Sequence, residues 1–86
     1  ISGKNIKYKL KQYPIVNGKN KLHPTEKPIK LLEELIRLHT KENDVVLDCF
    51  MGSGSTGIAC KNLNRNFVGI ELDKKYFEIA KKRMEE

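Results

Sequence analysis

Long apolar runs are missing from this sequence: none approaches the roughly 18 residues of a membrane-spanning helix. That excludes a transmembrane helix. No positively charged stretch leads into an apolar one at the start, so no signal-peptide pattern is read there. Cysteine is scarce, with only Cys49 and Cys60, eleven positions apart. That spacing fits neither a zinc site nor a redox pair, and two cysteines make no disulfide framework. Free thiols in a reducing cytoplasm are expected. Acid is missing from the front: the first acidic residue is Glu26. No internal repeat or low-complexity tract is visible.

What remains is one compact domain at most, or part of one. The chain has 86 residues, 38% hydrophobic and 33% charged, as in a soluble globular protein. Chains of this size bury only about 60–65% of their unfolded surface, so the core is thin. The first residue is Ile1, which reads as a chain whose natural beginning lies upstream. The net charge of +6 is uneven, with eight lysines and one acid in residues 1–30 against a near balance in residues 31–86. A basic front can face a polyanion such as nucleic acid, or can be a solvated lysine face.

Ile6, Tyr8 and Leu10 alternate with Lys7, Lys9 and Lys11, which predicts a strand with one wet face. Pro14 stops it or places it at an edge. Asn17-Gly18 signals a turn. A helix is expected from Pro28, with Ile29, Leu32, Leu35, Ile36 and His39 on its apolar stripe and Leu31 and Leu38 widening it. His39 is expected to be partly buried there. Val45-Val46-Leu47, without alternation, predicts a strand buried on both faces, as in a parallel sheet. A glycine-rich loop runs from Cys49 to Thr56, followed by a short helix around Ile58-Ala59-Cys60 and Leu63. Phe67-Val68-Gly69-Ile70 predicts a second buried strand ended by Glu71. Asp73 can cap a last helix carrying Tyr76, Phe77, Ala80 and Met84 on one side. Strand, helix, strand, helix is the start of a doubly wound α/β sheet.

Gly52-Ser53-Gly54-Ser55-Thr56-Gly57 fits G-x-G-x-x-G and sits between a predicted strand and helix. Such glycines let a ligand approach the backbone, and the helix N-terminus offers unpaired N–H groups. Glu71 follows Gly54 by 17 residues and can accept hydrogen bonds from ribose hydroxyls. Together these point to a nucleoside-bearing ligand; the plain alternative is a structural glycine turn with a surface acid. Asp48, just before the loop, would repel the pyrophosphate of a dinucleotide. It would attract the sulfonium and ammonium groups of S-adenosylmethionine. The loop and Thr56 can take that ligand's carboxylate.

Asp48-Cys49-Phe50-Met51-Gly52-Ser53-Gly54-Ser55-Thr56 resembles the D-P-F-x-G-S-G-T-T motif of DNA methyltransferases that modify adenine N6 or cytosine N4. His23-Pro24-Thr25-Glu26-Lys27-Pro28 resembles the H-P-T-x-K-P motif that precedes it in the permuted, β-type members. Val68-Gly69-Ile70-Glu71-Leu72-Asp73, with Tyr76, resembles the G-I-E-x-D-x-x-Y motif that follows. The three cover residues 23–86; residues 1–22 form a basic extended segment without a match. Cys49 stands where the family usually has proline, and Ser55 where it has threonine.

The resemblance implies part of a Rossmann-like S-adenosylmethionine-dependent methyltransferase fold, with DNA as partner and a place in restriction-modification. It implies that Asp48, Phe50, Gly52 and Gly54 line the methionine end of the cofactor. Thr56 would bind the carboxylate, Thr25 and Lys27 would reach the same end, and Glu71 would hold the ribose. Phe50 could instead be core, Lys27 a solvated lysine, and Asp48 a cap for the next turn. Family members also carry a D-P-P-Y, N-P-P-Y or S-P-P-Y tetrapeptide that grips the target amine and stacks on the flipped base. None occurs here. The expectation is therefore a C-terminal cofactor-binding half whose partner half, N-terminal to it, bears the catalytic motif. Adenine N6 is favoured over cytosine N4, no catalytic residue or metal ligand is assigned, and homodimerisation through open sheet edges is a further expectation. The competing readings are a dinucleotide-binding module and a non-catalytic nucleic-acid binder.

Overall fold

A computed structural model describes residues 6–13 and 27–86. Three parallel strands form one sheet: β1 (Tyr8–Gln12), β2 (Val45–Asp48) and β3 (Asn66–Glu71), in the order β1-β3-β2. Three helices accompany them: α1 (Ile29–His39), α2 (Ser55–Leu63) and α3 (Lys74–Glu85). β2, α2 and β3 make the βαβ unit expected from the sequence. β1 comes from the basic front segment, yet pairs residue for residue with β3 from Tyr8 opposite Phe67 to Gln12 opposite Glu71. Only β3 is central; β2 is an outer strand among the described residues.

The register sorts the side chains. Leu10, Val46, Phe67 and Gly69 share one face. There Phe67, Met51, Ala59, Cys60, Ala80 and Met84 form the core, with Leu10 and Val46 packed against it. α2 and α3 lie against β3, and α1 packs on α2. The opposite face carries Lys9, Lys11, Val45, Leu47, Val68 and Ile70. Val45 is 64% and Leu47 60% exposed. This corrects the reading of β2 as buried on both faces. Its apolar residues suit a covered parallel strand, but among the described residues the layers of helix lie on one side only.

Two more expectations change. His39 is exposed, and so are Leu31, Leu35 and Leu38, because α1 meets α2 mainly along the line of Ile29, Leu32 and Ile36. α2 begins at Ser55, three residues before the first apolar residue that announced it. α1 begins just after Pro28, which stands at its N-cap. At its other end Thr40 closes the helix and accepts from buried Arg65. Arg65 Nε lies 2.9 Å from Thr40 Oγ1 and Nη2 2.8 Å from the Thr40 carbonyl oxygen. Arg65 also donates to the Leu63 carbonyl, so one guanidinium ties α1 to the turn between α2 and β3.

Candidate functional site

The carboxyl ends of β2 and β3 lead into the two segments singled out by the sequence. In open α/β sheets this is where ligands bind. After β2, Asp48 Oδ1 accepts from the Phe50 N–H at 3.0 Å, so the acid does cap the following turn. Phe50 is 61% exposed, which excludes the core alternative for its ring. Met51 then plunges into the core, and its N–H bonds to the Ile70 carbonyl of β3 at 3.0 Å. Gly54 closes the loop in the left-handed region, at φ 91°, as the N-cap of α2. Gly54 has no side chain with which to cap that helix, and the N–H groups of its first turn point toward the loop end of the sheet. Thr56 lies half-buried in this first turn.

Gly54 and Gly57 have a second reason to be glycine. A Cβ on Gly54 would stand 3.0 Å from the Ala80 Cβ and 3.2 Å from its Cα. A Cβ on Gly57 would stand 2.7 Å from Met84 Sδ and 2.9 Å from the Phe67 ring. The sequence reading gave these glycines to a ligand; the structure shows them also seating the loop and α2 on α3 and β3.

Glu71 is buried, and each of its oxygens accepts from one backbone N–H. Oε1 accepts from the Gly52 N–H and Oε2 from the Asp73 N–H, each at 2.8 Å. The carboxylate thus joins the glycine loop to the start of α3. Each oxygen keeps a further lone pair for another donor. Asp73 in turn caps α3, accepting from the N–H groups of Lys75 and Tyr76. Arg83, from the last turn of α3, returns to the loop: Nη1 lies 2.9 Å from the Ser53 carbonyl oxygen and 3.1 Å from Ser53 Oγ. Sequence reasoning missed Arg83 and Arg65, since basic residues in lysine-rich stretches read as solvated charge.

The structure therefore brings together Asp48, Phe50, Gly52, Gly54, Thr56 and Glu71. Lys27 is exposed beside the N-terminus of α1 and takes no part in this hydrogen-bond network. Thr25 lies outside the described residues, as does His23. Cys49 is exposed at the loop, whereas Cys60 is on the buried face of α2. Burial pushes the Cys60 thiol up to about 12; the Arg65 guanidinium works against this and the Asp48 carboxylate adds to it. Among the described residues no three His, Cys, Asp or Glu side chains cluster as a metal site, and no helix is long and apolar enough to cross a membrane.

Known proteins share this sequence pattern and this fold. A family model described as DNA methylase matches residues 3–82, which includes β1 and most of the front segment. The type II methyltransferase M2.LlaDCHI of Lactococcus lactis subsp. cremoris is 55% identical over 62 residues, covering 72% of this chain and 23% of the relative. M.HinfI of Haemophilus influenzae is 50% identical over 66 residues, 77% of this chain and 18% of the relative. The chain thus spans about a quarter or less of the curated relatives it matches. Among solved structures, the M1.HpyAVI complex with S-adenosylmethionine superposes with a TM-score of 0.68 at 60% identity, over 76% of this chain and 32% of that one. The cytosine-N4-specific PvuII DNA methyltransferase gives 0.66 at 33% identity, over 77% and 23%. The fold is accordingly part of the Rossmann-like α/β methyltransferase sheet, and the chain belongs to the DNA methylase family of N6-adenine and N4-cytosine methyltransferases.

Proposed function

We propose that this chain is the S-adenosylmethionine-binding part of a DNA methyltransferase acting on an exocyclic base amine. The observation that carries the reading is the glycine loop held between an uncapped helix and a buried acid. The α2 N-terminus offers N–H groups for a carboxylate, and Glu71 stands on the loop with lone pairs left for ribose hydroxyls. The donor set fits a ligand with a carboxylate at one end and a ribose at the other. M1.HpyAVI, with the same fold, is a complex with S-adenosylmethionine.

Each residue then has a task. The Asp48 carboxylate attracts the ligand's positive centres without leaving its turn. Phe50 covers the same end with its exposed ring, and Gly52 and Gly54 admit the ligand to the backbone. Thr56 adds a hydroxyl donor to the first turn of α2. Glu71 receives the ribose. Thr25 and Lys27 are assigned to the same end of the ligand by the resemblance of residues 23–28 to the family's motif.

When bound, the cofactor supplies a sulfonium-activated methyl group that the base amine takes directly. No protein nucleophile is required, and none is assigned here. The amine-gripping tetrapeptide is absent from the 86 residues, so transfer needs a further, N-terminal half bearing it. DNA is the substrate in this reading, with adenine N6 as the target.

Calorimetric titration with S-adenosylhomocysteine tests the site. Binding is expected, with a loss of about tenfold for the analogue lacking the ribose 2′-hydroxyl, the scale of one hydrogen bond to a charged acceptor. Equal affinity for both would remove Glu71 from the ribose. No binding by folded chain, or tighter binding of NAD, would overturn the reading. Tritiated methyl transfer to unmethylated DNA should appear only when the tetrapeptide-bearing half is added, and nucleoside analysis of that product decides between adenine and cytosine.

A further inference from the structure

α3 touches both halves of the proposed ligand site. Its start is tied to Glu71, whose Oε2 accepts from the Asp73 N–H at 2.8 Å. Two turns further along, the helix comes against the glycine loop. A Cβ on Gly54 would lie 3.0 Å from the Ala80 Cβ and 3.2 Å from its Cα, so the loop backbone rests on a single methyl group. Ala80 itself is fully buried. Phe77 and Met84, a turn before it and a turn after, pack in the core and fix the helix on either side. The loop is fixed differently. Met51 anchors its start in the core, but Gly52 and Gly54 have no side chains and are placed through their backbone. The Gly52 N–H goes to Glu71 Oε1 at 2.8 Å and the Gly54 N–H to the Met51 carbonyl at 2.9 Å.

The consequence is a fixed spacing. In the proposed function the amino-acid end of the ligand meets the loop and its ribose meets Glu71. One rigid helix carries the contacts to both, so the distance between them depends on how closely Gly54 approaches α3. A larger side chain at position 80 has to displace a neighbour, because a packed interior holds no spare volume. The helix is held through Phe77 and Met84, so the loop is the part that yields. Glu71 keeps its place, since Oε2 remains bonded at the start of α3. We propose that Ala80 is a positioning residue that sets the spacing between the glycine loop and Glu71, and with it the fit of a ligand that joins a ribose to an amino-acid group. This rests on the proposed function and goes beyond it, because Ala80 is fully buried and acts through Gly54.

Two probes differ in how much of that spacing they use. S-adenosylhomocysteine spans both ends of the site; 5′-methylthioadenosine keeps the ribose and lacks the amino-acid group. In calorimetric titration of the full chain, Ala80→Val should weaken the first by about tenfold, the scale of one charge-assisted contact, and the second by less than about twofold. Ala80→Gly is the control. It destabilises α3 through backbone entropy but pushes nothing against the loop. It should lower the melting temperature and leave both affinities within about twofold. If Ala80→Val fails to fold, as judged by circular dichroism, Ala80→Ser takes its place, with a smaller loss again confined to S-adenosylhomocysteine. Equal weakening of both probes by the larger side chain, no change in either, or the same split from Ala80→Gly overturns the assignment and leaves the proposed function standing. A wild-type chain that is folded and binds neither probe overturns the proposed function and this assignment together.

Discussion

Glu71 shows how a single carboxylate can hold a site together before any ligand arrives. Its two oxygens accept from the Gly52 and Asp73 N–H groups, one in the glycine loop and the other at the start of the last helix. Glu71→Gln puts an amide donor against one of those donors. The buried mispairing should cost about 1–3 kcal/mol, read as a lowered urea midpoint at unchanged slope. An unchanged midpoint would mean that the backbone donors find other acceptors. Cys60 yields a second residue-scale prediction. Its thiol is held up to about 12 in the fold against an ordinary 9.0, so the folded state keeps its proton longer than the unfolded one. That contribution is complete below pH 9 and is lost as pH rises toward 12. Stability should therefore fall more steeply between pH 9 and 11 in the parent than in Cys60→Ala. Under native conditions at pH 8, a thiol reagent should titrate exposed Cys49 and leave Cys60 untouched until the chain is unfolded. At this scale the acids were legible in the sequence because each ends a hydrophobic strand. Arg83 and Arg65 were not: their roles depend on which carbonyls the fold brings within reach, and a lysine-rich neighbourhood hides them. His39 misled for the converse reason, since helical spacing alone does not say how wide a stripe its neighbour covers.

The helices differ in how their ends are satisfied, and the difference divides structure from function. α3 begins with Asp73, whose Oδ1 accepts from Lys75 and Tyr76 at 2.8 and 3.2 Å. Asp73→Ala should cost about 1 kcal/mol by the loss of this cap. Because Glu71 still holds the Asp73 N–H, the strand end should persist, and the proposed ligand affinity should change by less than about threefold. A larger loss would give Asp73 a direct part in binding. α2 begins at Ser55, after Gly54 at its N-cap, with no side-chain cap from that glycine. Gly54→Ala tests both sides of that position: the left-handed backbone and the 3.0 Å approach to Ala80 should together cost about 2–4 kcal/mol, seen as a large fall in the melting temperature. The sequence located every described element because period and punctuation agree. It placed the α2 start three residues late because Ser55, Thr56 and Gly57 carry no apolar signal, although the loop geometry already makes them helical.

Among the described residues the sheet is finished on one side. Parallel sheets are usually covered on both faces, and the hydrophobic run Val45-Val46-Leu47 led to that expectation for β2. Sequence pattern can say that a strand is fit for burial, but not which residues will bury it; here Val46 meets the core while Val45 and Leu47 stay exposed. The open face is mixed in character. Val45, Leu47, Val68 and Ile70 give it apolar area, and Lys9 and Lys11 line it on β1. Two forces therefore oppose each other when two copies approach. Apolar contact favours association, and like charge resists it with a reach of about 10 Å at 0.1 M salt and about 3 Å at 1 M. Association of the isolated chain should thus strengthen as salt rises, the reverse of lysine contacts to DNA phosphates, which weaken. Sedimentation velocity across 0.05–0.5 M salt measures the balance. Leu47→Lys removes apolar area and adds charge on the same face, and should hold the chain monomeric throughout that range. A parent that stays monomeric at every salt concentration would show that the face is too charged to pair with itself. Association equal in parent and Leu47→Lys would move the contact elsewhere, with the exposed Leu31, Leu35 and Leu38 row of α1 as the next surface to substitute.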